Sequence, residues 1–133
     1  MQFSRKTDYG LILLNVLKPT FRRGGYVSLR GVAEGEHLPF PFLEKLAAAL
    51  KRAGIIVSRR GAAGGYRLIR DPASITLQEV IRVFEEPPMM RCLRSPHPEK
   101  YCPLVPHCPT RKGWQALNAK FDSLLARTTL AAL

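Results

Sequence analysis

The spacing of apolar positions changes between residues 40 and 68. In the first part, apolar side chains recur every three or four residues, which predicts one buried face of a helix over residues 41–53. The positions on this face are Leu43, Leu46, Leu50 and Ala53. Gly54 follows directly, at the point where a left-handed backbone beyond a helix end favours glycine. Two short apolar runs, at 55–57 and 66–69, then enclose a basic, glycine-rich segment, so we expect a β-hairpin with a cationic tip.

Two helices are expected before this unit. An apolar stripe at helical spacing predicts a first helix over residues 4–18, which Pro19 should end. Ser28 is a plausible N-cap for a second helix over residues 29–36. A short helix, a turn, a second helix and a hairpin in this order predict a winged helix-turn-helix, a fold that can place a helix in the major groove of DNA and a hairpin on the backbone or in the minor groove.

After the hairpin, Thr76 and Glu79 have the spacing of a capping box, which predicts a helix from Thr76 to Glu86. Pro87 and Pro88 should end it. Residues 87–110 contain seven prolines and no periodic pattern, so we expect a long irregular loop. Loops of this length in a small protein are usually functional.

A last helix is expected from residue 111, with Thr110 as its cap. Its apolar seam follows three–four–three–four spacing through Trp114, Leu117, Phe121, Leu124 and Thr128. A seam of this kind needs a partner surface, and the same helix of a second copy would provide one. The alternative is a helix packed on its own domain. The predicted fold is therefore mainly α with a small β-hairpin wing, in three parts: 1–86, the DNA-binding domain; 87–110, the loop; and 111–133, the dimerisation helix.

Positive charge is concentrated in the first half of the chain. The 133 residues carry a net charge of +11. Residues 1–70 have 13 Lys/Arg and four acidic residues (+9), and residues 71–133 have eight and six (+2). A positive field around the predicted helix and hairpin favours a polyanionic partner, double-stranded DNA, with an affinity that falls as salt rises. A basic surface that only keeps the protein soluble is the alternative.

All three cysteines lie in the loop, at Cys92, Cys102 and Cys108. An odd number of cysteines argues against a disulfide framework. Thiolates are good ligands for soft metals and iron–sulfur clusters. Zinc is an alternative because His97 and His107 are close in sequence, although the paired-cysteine spacing of most structural zinc sites is missing. Three cysteines without a metal are the third possibility.

These segments together resemble the IscR/NsrR/CymR group of bacterial winged-helix transcription regulators. The matching pieces are SRKTDYG near the N-terminus, FLEKL at 42–46, the pattern from AGIIVSRRG to GGYRL at 53–68, and ITLQEVIRVFEE at 75–86. The resemblance implies a homodimer with an N-terminal winged helix-turn-helix. It also implies DNA binding, repression as the mode of regulation, and in some members control by an iron–sulfur cluster that senses nitric oxide, redox state or iron–sulfur status.

The resemblance also implies roles for individual residues. Cys92, Cys102 and Cys108 match the cluster cysteines, although the first gap here is longer than usual. Arg111 stands where one branch has a histidine ligand to a [2Fe-2S] cluster, whereas Asp8 stands where another has an aspartate ligand to a [4Fe-4S] cluster from the partner subunit. A [4Fe-4S] cluster with Asp8 as fourth ligand is therefore favoured, ahead of His107 or His97. Without the resemblance, Asp8 is an ordinary acid in a first helical turn.

The expected DNA contacts fall on three segments. Glu44 and Lys45 lie off the apolar face of the third helix and could reach base edges, or could form an ordinary solvated surface. The other candidates lie at the start of the first helix, at the start of the third helix and on the wing: Arg5, Lys6, Phe40, Pro41, Arg59, Arg60 and Gly61.

Other classes of function fit the sequence less well. No catalytic constellation or phosphate-binding loop is present, so an enzyme with a small-molecule substrate is not expected. No apolar run is long enough to span a membrane, and the N-terminus lacks a signal core, so a cytoplasmic protein is expected. The rival hypothesis is a zinc-stabilised interaction module whose basic charge is incidental.

Overall fold

Six α-helices and one β-hairpin form the fold in the computed structural model, which describes residues 2–86 and 89–133. In chain order the elements are α1 (Arg5–Arg23), α2 (Leu29–Gly35), α3 (Phe40–Arg52), β1 (Ile56–Arg59), β2 (Gly65–Leu68), α4 (Leu77–Phe84), α5 (Arg91–Arg94) and α6 (Arg111–Arg127). Short 3-10 turns lie at Pro72–Ser74, Pro98–Lys100, Val105–His107 and Leu130–Ala132. The predicted fold class, a mainly helical winged helix-turn-helix, is confirmed.

The hydrophobic core lies where α1 crosses α3 and β2. Three leucines of α1 (Leu13, Leu14 and Leu17) are fully buried there. The predicted face of α3 is confirmed at Leu43, Leu46 and Leu50. Ala53 was expected on this face but is exposed, because the helix ends at Arg52 and Ala53 is already its C-cap. Gly54 follows with a φ of +74°, the left-handed conformation that the sequence predicted.

The first helix is longer than predicted, because α1 continues through Pro19 to Arg23. A proline inside a helix removes one hydrogen bond and strains the preceding turn. Tertiary contacts offset that cost: Thr20 is buried, its hydroxyl donates to the Leu17 carbonyl (2.6 Å), and the same hydroxyl accepts from the Leu68 amide of β2 (3.1 Å). The last turn of α1 is therefore held by the sheet, which a local rule about proline does not take into account.

Two of the three predicted N-caps form their hydrogen bonds, whereas the side chain of Thr110, before α6, makes no cap bond. The Ser28 hydroxyl accepts from the Gly31 amide (3.2 Å) at the start of α2, and the Thr76 hydroxyl accepts from the Glu79 amide (3.2 Å) at the start of α4. The second half of the capping box is not formed, because the Glu79 carboxylate instead pairs with Arg70 (2.9 Å). The last helical residue of α4 is Phe84 rather than Glu86. The predicted stop at Pro87 and Pro88 lies outside the described residues.

The wing is an antiparallel hairpin whose register pairs Ile56 with Leu68 and Arg59 with Gly65. An isolated bridge between Val27 and Tyr66 adds a third, very short strand before α2. Gly65 makes this close approach possible, since a Cβ at this position would collide with the Val27 carbonyl oxygen. The double glycine of the wing is therefore required by backbone packing.

After α6 the chain turns back onto the winged domain. The Leu130 amide donates to the Ile75 carbonyl (2.8 Å), the Leu77 amide donates to the Thr128 carbonyl (2.8 Å), and the Leu130 side chain is fully buried. The prediction of one dimerisation helix over 111–133 is therefore wrong at its C-terminal end, because α6 ends at Arg127. Burial of the Leu130 side chain and the two backbone hydrogen bonds stabilise the return of the last residues to the core instead.

Candidate DNA-binding surface and cysteine loop

A groove separates the start of α3 from the wing. It is lined by side chains and backbone of α2, α3 and the hairpin: Ser28, Leu29, Arg30, Phe40, Glu44, Gly61, Gly64, Gly65 and Tyr66. Three predicted DNA-contact residues, Phe40, Glu44 and Gly61, are thus brought to one groove. The C-terminal turn of α3 is tied to the hairpin, since Lys51 donates to the Ser58 hydroxyl of β1 (2.7 Å).

The first residue of α3, Phe40, is only partly exposed to solvent. Phe40 is half-buried, and the Arg30 guanidinium lies over its ring, 4.4 Å from the centroid. Pro41, Glu44 and Lys45 are exposed. Glu44 and Lys45 are therefore accessible to a partner, whereas the ring of Phe40 is covered by the Arg30 guanidinium.

The N-terminal cations lie at the start of α1, and one of them lines a separate cavity beside α3. Arg5 and Lys6 are exposed in the first turn of α1. Lys6 and Lys45 line one shallow cavity between α1, α3 and α4. Positions 6 and 45 are far apart in sequence, and the crossing of α1 and α3 is what brings these two ammonium groups to one cationic edge.

The wing carries two exposed arginines in series, Arg59 and Arg60, followed by Gly61 with a φ of +108°. The Arg59 guanidinium donates to the Ala63 carbonyl (2.9 Å), across the hairpin tip. It also stacks on the ring of Tyr26, 4.2 Å from the centroid. Arg59 is thus held in place, while Arg60 makes no hydrogen bond or ion pair within residues 2–86 and 89–133.

The loop before α6 is structured by α5 and two 3-10 turns rather than being irregular throughout. Cys92, Cys102 and Cys108 are all free and partly exposed. Across residues 2–86 and 89–133, no three Cys, His, Asp or Glu side chains lie close enough together to hold a metal ion. Asp8 is exposed on α1. The donor types suit a soft metal, but in this arrangement they do not converge.

Cys108 is nevertheless chemically distinct. Its sulfur lies 3.5 Å from the Thr110 hydroxyl. Hydrogen bonds from Thr110, with smaller contributions from the Arg111 backbone and charge, hold the pKa of the Cys108 thiol below its ordinary value. Arg111 also donates to the Cys92 carbonyl (2.8 Å), so the first residue of α6 contacts both ends of the cysteine loop.

The apolar seam of α6 is largely open to solvent in the single chain. Trp114, Leu117 and Leu124 are 39%, 46% and 55% exposed, and α6 has no buried residue. Phe121 is half-buried and stacks on Phe3, with centroids 6.4 Å apart. Thr128 is the C-cap of α6, and its hydroxyl donates to the Leu124 carbonyl (2.9 Å). Four of the five predicted seam residues are therefore in the helix itself.

Comparison with known proteins gives the family. The family model Rrf2, described as an iron-dependent transcriptional regulator, matches residues 3–133. This chain belongs to the Rrf2 family. It is 33% identical to CymR of Bacillus subtilis, over 100% of this chain and 89% of CymR. The structure of that CymR, described as the global cysteine regulator of the organism, superposes with a TM-score of 0.77 at 32% identity, covering 99% and 95% of the two chains.

A second solved Rrf2-type structure, T. potens IscR, superposes with a TM-score of 0.75 at 32% identity, covering 99% of this chain and 85% of that one. The predicted resemblance to the IscR and CymR regulators is thus confirmed, and the chain is a helix-turn-helix transcriptional regulator that binds DNA, not an enzyme. Within the described residues, no helix is long and apolar enough to cross a bilayer.

The sequence analysis missed three residues of the candidate DNA-binding surface: Tyr26, Arg30 and Arg67. Arg30 and Tyr26 each stack with a residue that was predicted, and Arg67 lies 5.7 Å from the Tyr26 ring. An aromatic residue directly before the short third strand was a signal for Tyr26. Nothing in the local pattern distinguished Arg30 or Arg67 from other surface cations.

Acid sensitivity of this Rrf2 fold is expected to depend on Glu85. Its carboxylate accepts hydrogen bonds from the Ser4 amide (2.7 Å) and the Thr7 hydroxyl (2.6 Å). The Ser4 side chain first, then the Thr7 hydroxyl, with smaller contributions from the Ser4 amide and the charge of Lys6, hold the pKa of Glu85 below its ordinary value. A depressed carboxyl pKa stabilises the fold above the unfolded-state value of about 4.3, and this contribution is lost as the pH falls below it.

The corresponding measurement is urea unfolding between pH 3 and pH 7. Wild type should lose stability as the pH falls below about 5, and Glu85→Gln should show a shallower fall. Some dependence should remain, because Arg70 also lowers the pKa of Glu79. Glu36→Gln, at an exposed carboxylate, is the control and should keep the wild-type profile. A Glu85→Gln profile equal to wild type would contradict the prediction.

Proposed function

We propose that this Rrf2 regulator binds operator DNA as a homodimer, with α3 in the major groove and the wing on the flanking backbone or minor groove. The observation that carries the proposal is the set of exposed charged side chains on α3, at the start of α1 and on the wing. Glu44 and Lys45 project from the exposed side of α3, Lys6 borders Lys45, and Arg60 lies on the wing. A carboxylate such as that of Glu44 can accept from cytosine N4, and the cations can neutralise phosphates.

Two experiments with the wild-type protein test this function. The first selects duplexes from a random library, and the second titrates the selected duplex at several salt concentrations. Affinity should depend on sequence and should fall linearly on a logarithmic salt axis. Sequence-independent binding, or the absence of duplex binding at low salt, would contradict it. Repression is the mode that we propose, because a dimer on operator DNA can exclude polymerase; a promoter–reporter assay distinguishes repression from activation.

The homodimer is proposed to form through the seam of α6. Its residues are apolar but half-exposed in the single chain, and a two-fold dimer would cover them while placing two α3 helices on two half-sites. Packing within one chain leaves Trp114, Leu117 and Leu124 exposed, and the proposed dimer explains why these exposed positions are apolar.

Substitution of Leu117 by aspartate tests the seam. A charge placed in a buried apolar contact, twice per two-fold dimer, should weaken the dimer about 100-fold or more. Sedimentation velocity over a range of concentrations measures this. Gln115→Asp, two residues earlier and off the seam, is the matched control and should leave the dimer intact. A Leu117→Asp protein with the wild-type association constant would exclude this interface.

We further propose that Cys92, Cys102 and Cys108, with Asp8 of the other copy, hold an iron–sulfur cluster that controls DNA affinity, [4Fe-4S] rather than [2Fe-2S]. The support is the chemistry of three partly exposed thiols beside the helix that we assign to dimerisation. The cluster would supply a redox- and nitric oxide-sensitive centre. Because the thiols do not converge among the described residues, binding would require the loop to fold around the cluster.

Anaerobic purification is expected to give coloured protein with iron and sulfide in equal amounts, and Cys102→Ala should lose both. Iron and sulfide assays with visible absorption spectra measure this. Colourless, iron-free protein whose cysteine variants bind DNA like wild type would contradict cluster control. One zinc per chain would instead support the second candidate, a zinc-stabilised regulator of the same fold. Protein with neither iron nor zinc would support a metal-free regulator of that fold.

A further inference from the structure

The two faces of the wing differ. Tyr66 points to the groove beside α3, and Arg67, the next residue of β2, therefore lies on the opposite face. The bridge between Val27 and Tyr66 sets Tyr26 beside Arg67 in the antiparallel register. Arg67 pairs with Val57, so Arg59 is its diagonal neighbour on the same face. Three strands thus bring Tyr26, Arg59 and Arg67 together, and we call this set the Tyr26 face.

Two guanidinium groups share one aromatic ring on the Tyr26 face. Arg59 lies 4.2 Å and Arg67 5.7 Å from the ring centroid. Both are within the distance at which a ring attracts a cation. Among the described residues neither guanidinium has a carboxylate partner. The buried Nε–H of Arg67 also finds no hydrogen-bond acceptor there.

This arrangement is incomplete without an anion. Two like charges near one ring repel each other, and a buried donor without an acceptor is unfavourable. An oxyanion on the exposed ends of the two guanidinium groups would offset the repulsion, and arginine favours phosphate because its planar fork makes two parallel bonds. The ring of Tyr26 limits the freedom of both side chains, so less conformational entropy is lost when the anion binds.

We propose that Arg59 and Arg67 form a binding site for one phosphate of the DNA backbone, on the face of the wing that points away from the α3 groove, with Tyr26 as the positioning residue. The proposal rests on the proposed DNA-binding function. It extends the contact surface of the wing from its tip to its outer face and assigns a DNA contact to Arg67, which the local sequence pattern does not distinguish.

The test is the salt dependence of duplex binding by full-length variants, measured by fluorescence anisotropy on a duplex selected by the wild-type protein. Arg67→Gln should bind about 3- to 10-fold more weakly, and its slope of log affinity against log salt should be shallower by up to about 0.9 per chain, the value for complete loss of one phosphate contact. Tyr26→Leu should shift in the same direction, and Tyr26→Phe, which keeps the ring, should behave like wild type. Arg127→Gln, at an exposed arginine of α6, is the matched control and should keep the wild-type slope.

Either of two results would overturn the site: Arg67→Gln with the same slope as Arg127→Gln, or Tyr26→Phe as weak as Tyr26→Leu. If a variant does not fold, the wild-type protein still decides the question by NMR. The Arg67 Nε–H signal should shift on addition of the duplex, and an unmoved signal would exclude the contact. Wild-type protein that binds no duplex overturns the proposed function as well, whereas normal wild-type binding with unaltered variants overturns only the Tyr26 face.

Discussion

Replacement of Leu130 by alanine is expected to lower the free energy of unfolding by about 2–5 kcal/mol, the cost of a large-to-small substitution at a fully buried leucine. Leu130 has no exposed surface and belongs to the same core cluster as α1, α3 and β2, although it lies after α6. The substitution leaves a cavity under Ile75 and loosens the contact that returns the C-terminus to the winged domain. Chemical denaturation followed by circular dichroism measures the loss.

Leu133→Ala is the matched control, because it makes the same change three residues later at a side chain that is 51% exposed. It should alter stability by less than about 0.5 kcal/mol. If both variants have wild-type stability, the C-terminal return is not part of the cooperative core. If Leu130→Ala is destabilised but still dimeric, the anchor and the α6 seam are independent, as their separate positions on the chain suggest.

Reversal of the two wing charges, Arg59→Glu with Arg60→Glu, is expected to weaken duplex binding about 100-fold or more at moderate salt. Each chain would change by four units of charge on a surface that we propose faces the phosphate backbone, and counterion release makes such contacts dominate affinity. The loss should be larger at low salt than at high salt, because screening reduces the repulsion. Anisotropy titrations of the wild-type-selected duplex measure both quantities.

The control is Lys100→Glu with Lys112→Glu, which changes the net charge equally in the second half of the chain, at two exposed lysines. This protein should lose about 10-fold or less, through the long-range field alone. Equal losses in the two double variants would show that binding responds to net charge and not to the wing. Circular dichroism melting of both proteins verifies that the fold is intact.

Patterns that depend on near neighbours predicted the structure well. The face of α3, the caps Ser28 and Thr76, the left-handed Gly54 and the hairpin all follow from side chains within a few residues of one another. Binary patterning and capping are local, so the sequence contains them explicitly. The same local rules wrongly predicted that α1 ends at Pro19. The helix continues to Arg23 because Thr20 is buried and its hydroxyl accepts a hydrogen bond from β2.

The candidate site was predicted only in part. The exposed positions of Glu44, Lys45 and Arg60 follow from periodicity and composition. The pairing of Arg30 with Phe40 and of Arg59 with Tyr26 joins residues 10 and 33 positions apart, and depends on how α2 meets α3 and how the third strand meets the wing. The ligand set at Cys92, Cys102, Cys108 and Asp8 stays a proposal, because sequence spacing gives donor types but not their convergence.

By itself, the sequence determined the class of the protein: five helical segments, a basic hairpin and a cysteine loop, in an order that the Rrf2 family shares. It could do so because helix periodicity, turn chemistry and charge act over a few residues. The tertiary structure decided which cations lie close together, where the chain returns after α6 and which arginines have no carboxylate partner among residues 2–86 and 89–133. Those depend on contacts between segments dozens of residues apart, which only the packed core brings together.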